Sequence, residues 1–425
     1  MGKFIASAKV SHPVMFPATD MCEALPTDAK VQMHEPDTQA LASIFERDPY
    51  LKSLMIKSIE QAKEINPDPM TNPAQTLEEF YLFIDWASKC MPWNVIHEES
   101  MPHSSLFDKI DSGMNYFYFM LDQPLAELEG RGLYFNSIQY MEPIYSWITD
   151  FAKNWGTFLS SSDSWNDEYC RICFSEPQFG LHKGWYEPAE NWHTFNDFFA
   201  RELRGPDARP IADLEDESVV TAPADSTPRG VWRVDDDSNI MNDEGERGAV
   251  IKSSIYNSVR TLLGCRSKFR DAFAGGTLTH TYLNEGDYHH FHFPFSGVIK
   301  EAEIISFAAT GGGVEHWDPK LGLYVLDDRL PGWQALETRG LVIVDTQEYG
   351  LAAVMPIGMA QVGSVVFEDG IKPGAVVKKG DKLGYFLFGG SDTVMLFQRN
   401  VKFELTAKPF VHLLMGERYG KLAKI

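Results

Sequence analysis

At 425 residues, 44% hydrophobic and 13% aromatic, the chain is long enough for two cores, because single cores stop growing near ~250–300 residues. Its 38 lysines and arginines face 60 aspartates and glutamates, and the formal charge of −22 argues against nucleic acid and against stable association with an anionic membrane. Five scattered cysteines (Cys22, Cys90, Cys170, Cys173 and Cys265) do not make a disulfide framework, and the sequence shows neither an 18-residue apolar run nor a signal-peptide core. A soluble, cytoplasmic protein with reduced thiols is expected.

The first half reads as helical. Leu51, Leu54, Met55, Ile59 and Ala62 recur at helical spacing, as do Ile144, Trp147, Ile148, Phe151 and Trp155. Prolines in "NPDPMTNP" and "CMPW" separate the helices, since proline cannot donate a backbone hydrogen bond. At "RGPDARPIADLEDESVV" the composition shifts to proline, glycine and acidic residues. The expected division is therefore an N-terminal helical domain, residues 1–205, and a β-rich domain, residues 206–425. Beyond the boundary lie short β-type runs, interrupted by one helical segment at "SIYNSVRTLLG". Near the end, "FLFGGSDTVMLF" predicts two halves of a β-hairpin around Gly389 and Gly390.

Three of the twelve histidines, His289, His290 and His292, sit in "GDYHHFHFPFSG". HHxH alone is weak evidence for a metal, and no metal site is assigned. The CxxC at Cys170 and Cys173 lacks a second ligand pair and reads as ordinary thiols. On a regular strand His289 and His292 face opposite ways and converge only if the backbone bends. Asp225 stands in the Pro-flanked turn "TAPADS", either as a turn residue or as the partner of a histidine. Ser391 follows two glycines, so the Gly390 carbonyl is open to attack by its hydroxyl. It lacks the strand-to-helix elbow of the usual hydrolase serine.

Four stretches in order, "WHTFNDFFARELRGPDARPI", "TAPADS", "FAGGTLTHTYLNEGDYHHFHFPFSG" and "VKKGDKLGYFLFGGSDTVMLF", resemble the phosphatidylserine decarboxylase family of pyruvoyl enzymes across roughly residues 150–425. The helical extension and "NWGTFLSSSDSW" look more like its soluble amino-acid decarboxylase branch, which includes tryptophan decarboxylases. The resemblance implies an α+β protein whose β-rich domain is a lipoyl-like barrel sandwich. It also implies a zymogen that cuts itself at Gly390–Ser391 and converts Ser391 to a pyruvoyl group, which forms a Schiff base with the substrate. Asp225, His292 and Ser391 fall on the self-cleavage triad, and His289 on the acid that returns a proton to the substrate.

The function expected is decarboxylation of a free aromatic L-amino acid (tryptophan, tyrosine or dihydroxyphenylalanine), the two processed chains staying associated. Phosphatidylserine is the alternative substrate, and a non-catalytic lipoyl-like binding module the alternative class. In "FAATGGGVEHWDPKLGLYVLDDRLPGW", His316 and Trp317 are candidates to stack on the substrate, although Trp317 and Trp333 serve equally as loop anchors. Gly358 and Met359, in "IGMAQVGSV", are expected in the pocket wall. Asp392 stands where the family commonly has threonine, and either tunes the Schiff base or caps the turn.

Overall fold

The computed structural model describes residues 34–241, 249–251, 254–307, 311–327, 331–359, 364–388 and 391–425. The N-terminal part is helical, as its periodicity predicts. Helices Pro36–Arg47, Pro49–Ile65, Leu77–Ala87, Leu106–Leu121 and Ile144–Leu159 start at identifiable signals. Asp48 accepts from the Leu51 amide at 3.0 Å, Thr76 from the Glu79 amide at 3.2 Å, and Ser105 with Asp108 forms a capping box. Leu51, Leu54, Met55, Ile59 and Ala62 are all buried, facing a core in which Phe117 stacks on Phe151 with centroids 5.0 Å apart.

The second half is dominated by a seven-stranded antiparallel sheet. Its spatial order is Val376–Val377, Gly297–Ile305, Thr338–Asp345, Leu351–Gly358, Ser391–Phe397, Thr277–Leu283, Thr227–Arg233. Every residue of Ser391–Phe397 is buried. Met395 and Phe397 face one apolar cluster, and Val394 and Leu396 the cluster on the other side. A smaller sheet joins Val365–Phe367, Lys382–Phe386 and His290–His292. A third joins Val219–Thr221, Arg418–Lys424 and Val401–Leu405.

Two expectations change. The runs flanking Gly389 and Gly390 are not halves of one hairpin: Lys382–Phe386 pairs with Val365–Phe367 and His290–His292, whereas Ser391–Phe397 pairs with Leu351–Gly358 and Thr277–Leu283. A strand apolar on both faces gains most in the interior of a covered sheet, and that position draws Ser391–Phe397 away from its sequence neighbour. The α+β class holds, but the described strands form open sheets rather than a closed barrel, with Val376–Val377 and Thr227–Arg233 at the edges of the largest. The predicted helix after residue 250 is present as the short Val259–Leu263. The main core crosses residue 205, because Trp155, Phe195 and Phe199 pack in the same cluster as Phe291, Phe386 and Phe388.

Candidate active site

Ser391 opens its strand between two neighbours, its register partners being Gly358 on one side and Leu283 on the other. It is fully buried, and its Oγ lies 3.2 Å from His289 Nδ1. The other ring nitrogen, Nε2, is 3.3 Å from the Glu285 carbonyl oxygen. A carbonyl can only accept, so Nε2 carries the proton and Nδ1 presents its lone pair to the serine hydroxyl. Burial, reinforced by the Arg201 charge, pushes the His289 pKa down to about 3. The imidazole is thus neutral near pH 7, the form able to take a proton.

The ring is held by its surroundings. Phe199 stacks on His289 with centroids 3.8 Å apart. Arg201, two residues later and fully buried, donates from Nη2 to the carbonyls of Gly286 at 2.8 Å and Asp287 at 3.0 Å, fixing the backbone that leads into Tyr288 and His289. Phe199 and Arg201 are the functional neighbours that sequence reasoning left without a role. Their signal was the Phe-Phe-x-Arg pattern itself, where an aromatic and a cation share the end of one short helix, Phe195–Phe199.

Phe388, just ahead of the glycines, is held as firmly. It packs edge-on against Trp155 at 5.3 Å, Phe195 at 5.2 Å and Phe199 at 5.2 Å, and its amide donates to Asn196 Oδ1 at 3.1 Å. Edge-to-face pairs of this kind contribute about 0.5–1.5 kcal/mol each beyond area burial. The chain is therefore pinned at Phe388 on one side and in the sheet at Ser391 on the other, with two glycines between. Gly390, the expected donor of the scissile carbonyl, lies outside the described residues.

The other expected members of the triad are placed differently. His292 Nδ1 donates to the Gly380 carbonyl at 2.9 Å, and its Nε2 takes the Tyr288 hydroxyl at 3.3 Å, so both nitrogens are occupied away from Ser391. Asp225 forms a buried two-pronged pair with Arg209, whose Nε donates to Oδ1 at 2.8 Å, and it also accepts from the Met415 amide at 2.7 Å. The structure brings together Ser391 and His289, and does not join Asp225, His292 and Ser391 in one chain of hydrogen bonds. His290 donates to the Ala200 carbonyl at 2.8 Å. Among the described residues no three His, Cys, Asp or Glu side chains group as a metal site requires.

A cavity adjoins the site, walled by Asn115, Tyr118, Tyr282, Glu285, Glu315 and Met359. Glu285, whose carbonyl accepts from His289, lines it, while Tyr282, the register partner of Asp392, places it on the Asp392 face of the sheet. Met359 lines this cavity, and Gly358 is the register partner of Ser391 on the neighbouring strand. His316 and Trp317 do not line this cavity. On the hairpin strand Val314–Asp318, the two-residue alternation turns His316 to solvent and Trp317 onto Tyr324 at 4.8 Å, against the helical core. Glu315, on the same face as Trp317, reaches the cavity.

Burial also lowers the His292 pKa, to about 4, against an ordinary value of 6.5. For His289 and His292 the folded pKa is depressed, so the stability they carry is present above pH 6.5 and is lost progressively as the pH falls toward about 4 and then about 3. Urea midpoints are expected to drop on acidification through this window, less steeply in His292→Gln. Equal slopes for that variant and the parent would contradict the burial of a neutral His292.

Two anchored flanks, an intervening glycine pair and a hydroxyl hydrogen-bonded to a neutral imidazole are parts that attack of a serine on its own backbone would require. The sequence model for phosphatidylserine decarboxylase matches residues 195–421, and the chain belongs to that family of carboxy-lyases. It is 32% identical over 254 residues to phosphatidylserine decarboxylase proenzyme 2 of Oryza sativa subsp. japonica, covering 60% of this chain and 37% of the rice protein. It is 31% identical over 231 residues to the phosphatidylserine decarboxylase proenzyme of Chlamydia trachomatis, covering 54% and 64%. It is 27% identical over 270 residues to decarboxylase iboD of Amanita muscaria, covering 57% and 74%. The chain thus spans 37% of the length of the rice relative and 64% of the chlamydial one. Members of the family take a pyruvoyl cofactor from a serine of the proenzyme by autocatalytic cleavage.

Proposed function

We propose that this chain is a pyruvoyl-dependent decarboxylase that makes its cofactor at Ser391. The observation that carries the reading is the unprotonated Nδ1 of His289 at 3.2 Å from the Ser391 hydroxyl. His289 takes that proton as Oγ attacks the Gly390 carbonyl, and the peptide bond gives way to an ester. Elimination frees Gly390 as a carboxylate and leaves dehydroalanine at 391. Addition of water and loss of ammonia then leave a pyruvoyl group on the Asp392 nitrogen. Such a ketone would supply an electrophile for a substrate amine and a sink for the electrons released in decarboxylation, with His289 and the strand beginning at residue 391 as the groups that would hold it.

The rest falls to the side chains. Phe199, Phe388 and the sheet exclude water around residue 391, and His289 stands within reach of that position to hold the proton that replaces carbon dioxide on the substrate. Residues 391–425 stay with residues 1–390 because their first strand is paired on both edges. Asp225 is assigned to the Arg209 pair, which ties the Pro-flanked turn to the end of the helical region.

The substrate carries a primary amine next to a carboxylate. Phosphatidylserine is the identity that the relatives' names support most widely. A free aromatic amino acid is the second reading, favoured by the tyrosine-walled cavity that shares Glu285 with the His289 site and by likeness to a relative named only as a decarboxylase. No helix among the described residues is long and apolar enough to cross a membrane. A cytoplasmic location belongs to the same proposal. Incubating the purified protein with phosphatidylserine vesicles, and separately with tryptophan, tyrosine and dihydroxyphenylalanine, tests this. Release of carbon dioxide and the matching amine in one arm identifies the substrate class, and release in none with processed protein rejects both identities.

A further inference from the structure

Asp392, the residue to be left carrying the pyruvoyl group, is fully buried, and strand alternation points its side chain to the face of the sheet opposite Ser391. Its Oδ2 accepts from Gln334 Nε2 at 2.8 Å and lies 3.0 Å from His280 Nδ1, while Oδ1 accepts from the Thr393 amide at 2.8 Å. Gln334 and His280 are buried as well, at 1% and 0% exposure. A carboxylate in such a place is tolerated only where its lone pairs are satisfied, and here the donors come from three different segments. One is its own strand, one the neighbouring strand Thr277–Leu283, and one the turn Trp333–Leu336.

That turn is tied to the cavity. Gln334 Oε1 accepts from the Gly332 amide at 2.7 Å, and Glu337, at the end of the turn, accepts from the Gly312 amide at 2.9 Å. Glu337 and Gly312 both line the cavity, as does Tyr282, the register partner of Asp392. Asp392 is thus the point where the strand that begins at Ser391 and the segment forming the cavity wall are bonded to each other.

Self-cleavage creates a mechanical problem. Ser391 is the first residue of its strand, and a break ahead of it turns an interior chain position into a free end, where strands fray most readily. We propose that Asp392, held by Gln334 and His280, is a positioning residue that keeps the pyruvoyl-bearing end of the strand in register with the cavity wall after the backbone is cut. The inference rests on Ser391 as the source of the pyruvoyl group. It accounts for a hydrogen-bonding side chain being kept one residue inside that end, where directional bonds to Gln334 and His280 fix a position that an apolar contact would leave free to slide.

The test uses the full chain and the variants Asp392→Ala, Asp392→Asn and Gln334→Ala. Intact mass gives the fraction cut, borohydride reduction gives the ketone content, and kcat and KM are then expressed per mole of ketone. The variants are expected to cut and to carry the ketone. Asp392→Ala and Gln334→Ala should lose about 10- to 100-fold in kcat per ketone, the scale of an ångström-sized misplacement of a reacting group. Asp392→Asn should recover most of the loss, and the double variant should be no worse than Asp392→Ala. A change in melting temperature with unaltered kcat per ketone would overturn the assignment. If Asp392→Ala does not fold, Gln334→Ala decides alone. An uncut parent chain would defeat the reading of Ser391 itself, whereas a cut parent with fully active variants would defeat only the role of Asp392.

Discussion

Ser391→Ala is expected to yield a single uncut chain with no decarboxylase activity. The hydroxyl is both the nucleophile for cleavage and the atom source of the ketone, so no other residue replaces it. The fold should survive. Among the described residues the side chain makes one hydrogen bond, to His289, and leaving the imidazole nitrogen unsatisfied costs about 1–3 kcal/mol. A gel and a melting curve check both halves of the expectation: one band, and a cooperative transition a few degrees lower at most. Processed chains or residual activity in Ser391→Ala would show that the electrophile arises elsewhere.

The second large effect separates the two histidines. His289→Ala removes the ring that the structure places on the Ser391 hydroxyl, and should slow self-cleavage by about 10²- to 10⁴-fold, the usual contribution of a positioned general base. His292→Ala breaks contacts with Gly380 and Tyr288 and should lower stability while cleavage continues. A time course of processing from freshly made chain distinguishes them. Arrested cleavage in His292→Ala with normal cleavage in His289→Ala would restore the relay through Asp225 and His292 that the motif resemblance implies, and would require the site to rearrange before it reacts.

Much of this arrangement was readable from the residues. The helical stripes at Leu51 to Ala62 and Ile144 to Trp155 are one-sided, so their 3.6-residue spacing reports the buried face directly. Ser391–Phe397 carried no such signal. With both faces covered it loses the alternation that marks a half-exposed strand, and its partners lie far away in sequence, so a local hairpin was the natural expectation. The choice between His289 and His292 was equally out of reach. It depends on which backbone carbonyl each ring meets, Glu285 for one and Gly380 for the other, and spacing alone does not encode that. Trp317 shows the same limit: its aromatic character suits a substrate or a core, and only the hairpin's register sends it to Tyr324.

Intact-mass measurement of purified, active wild-type protein before and after borohydride is the most direct test. The expected result is two fragments, residues 1–390 and 391–425, the smaller with a blocked N-terminus that takes up hydride. Active protein of one uninterrupted chain with an ordinary serine at 391 would contradict the account.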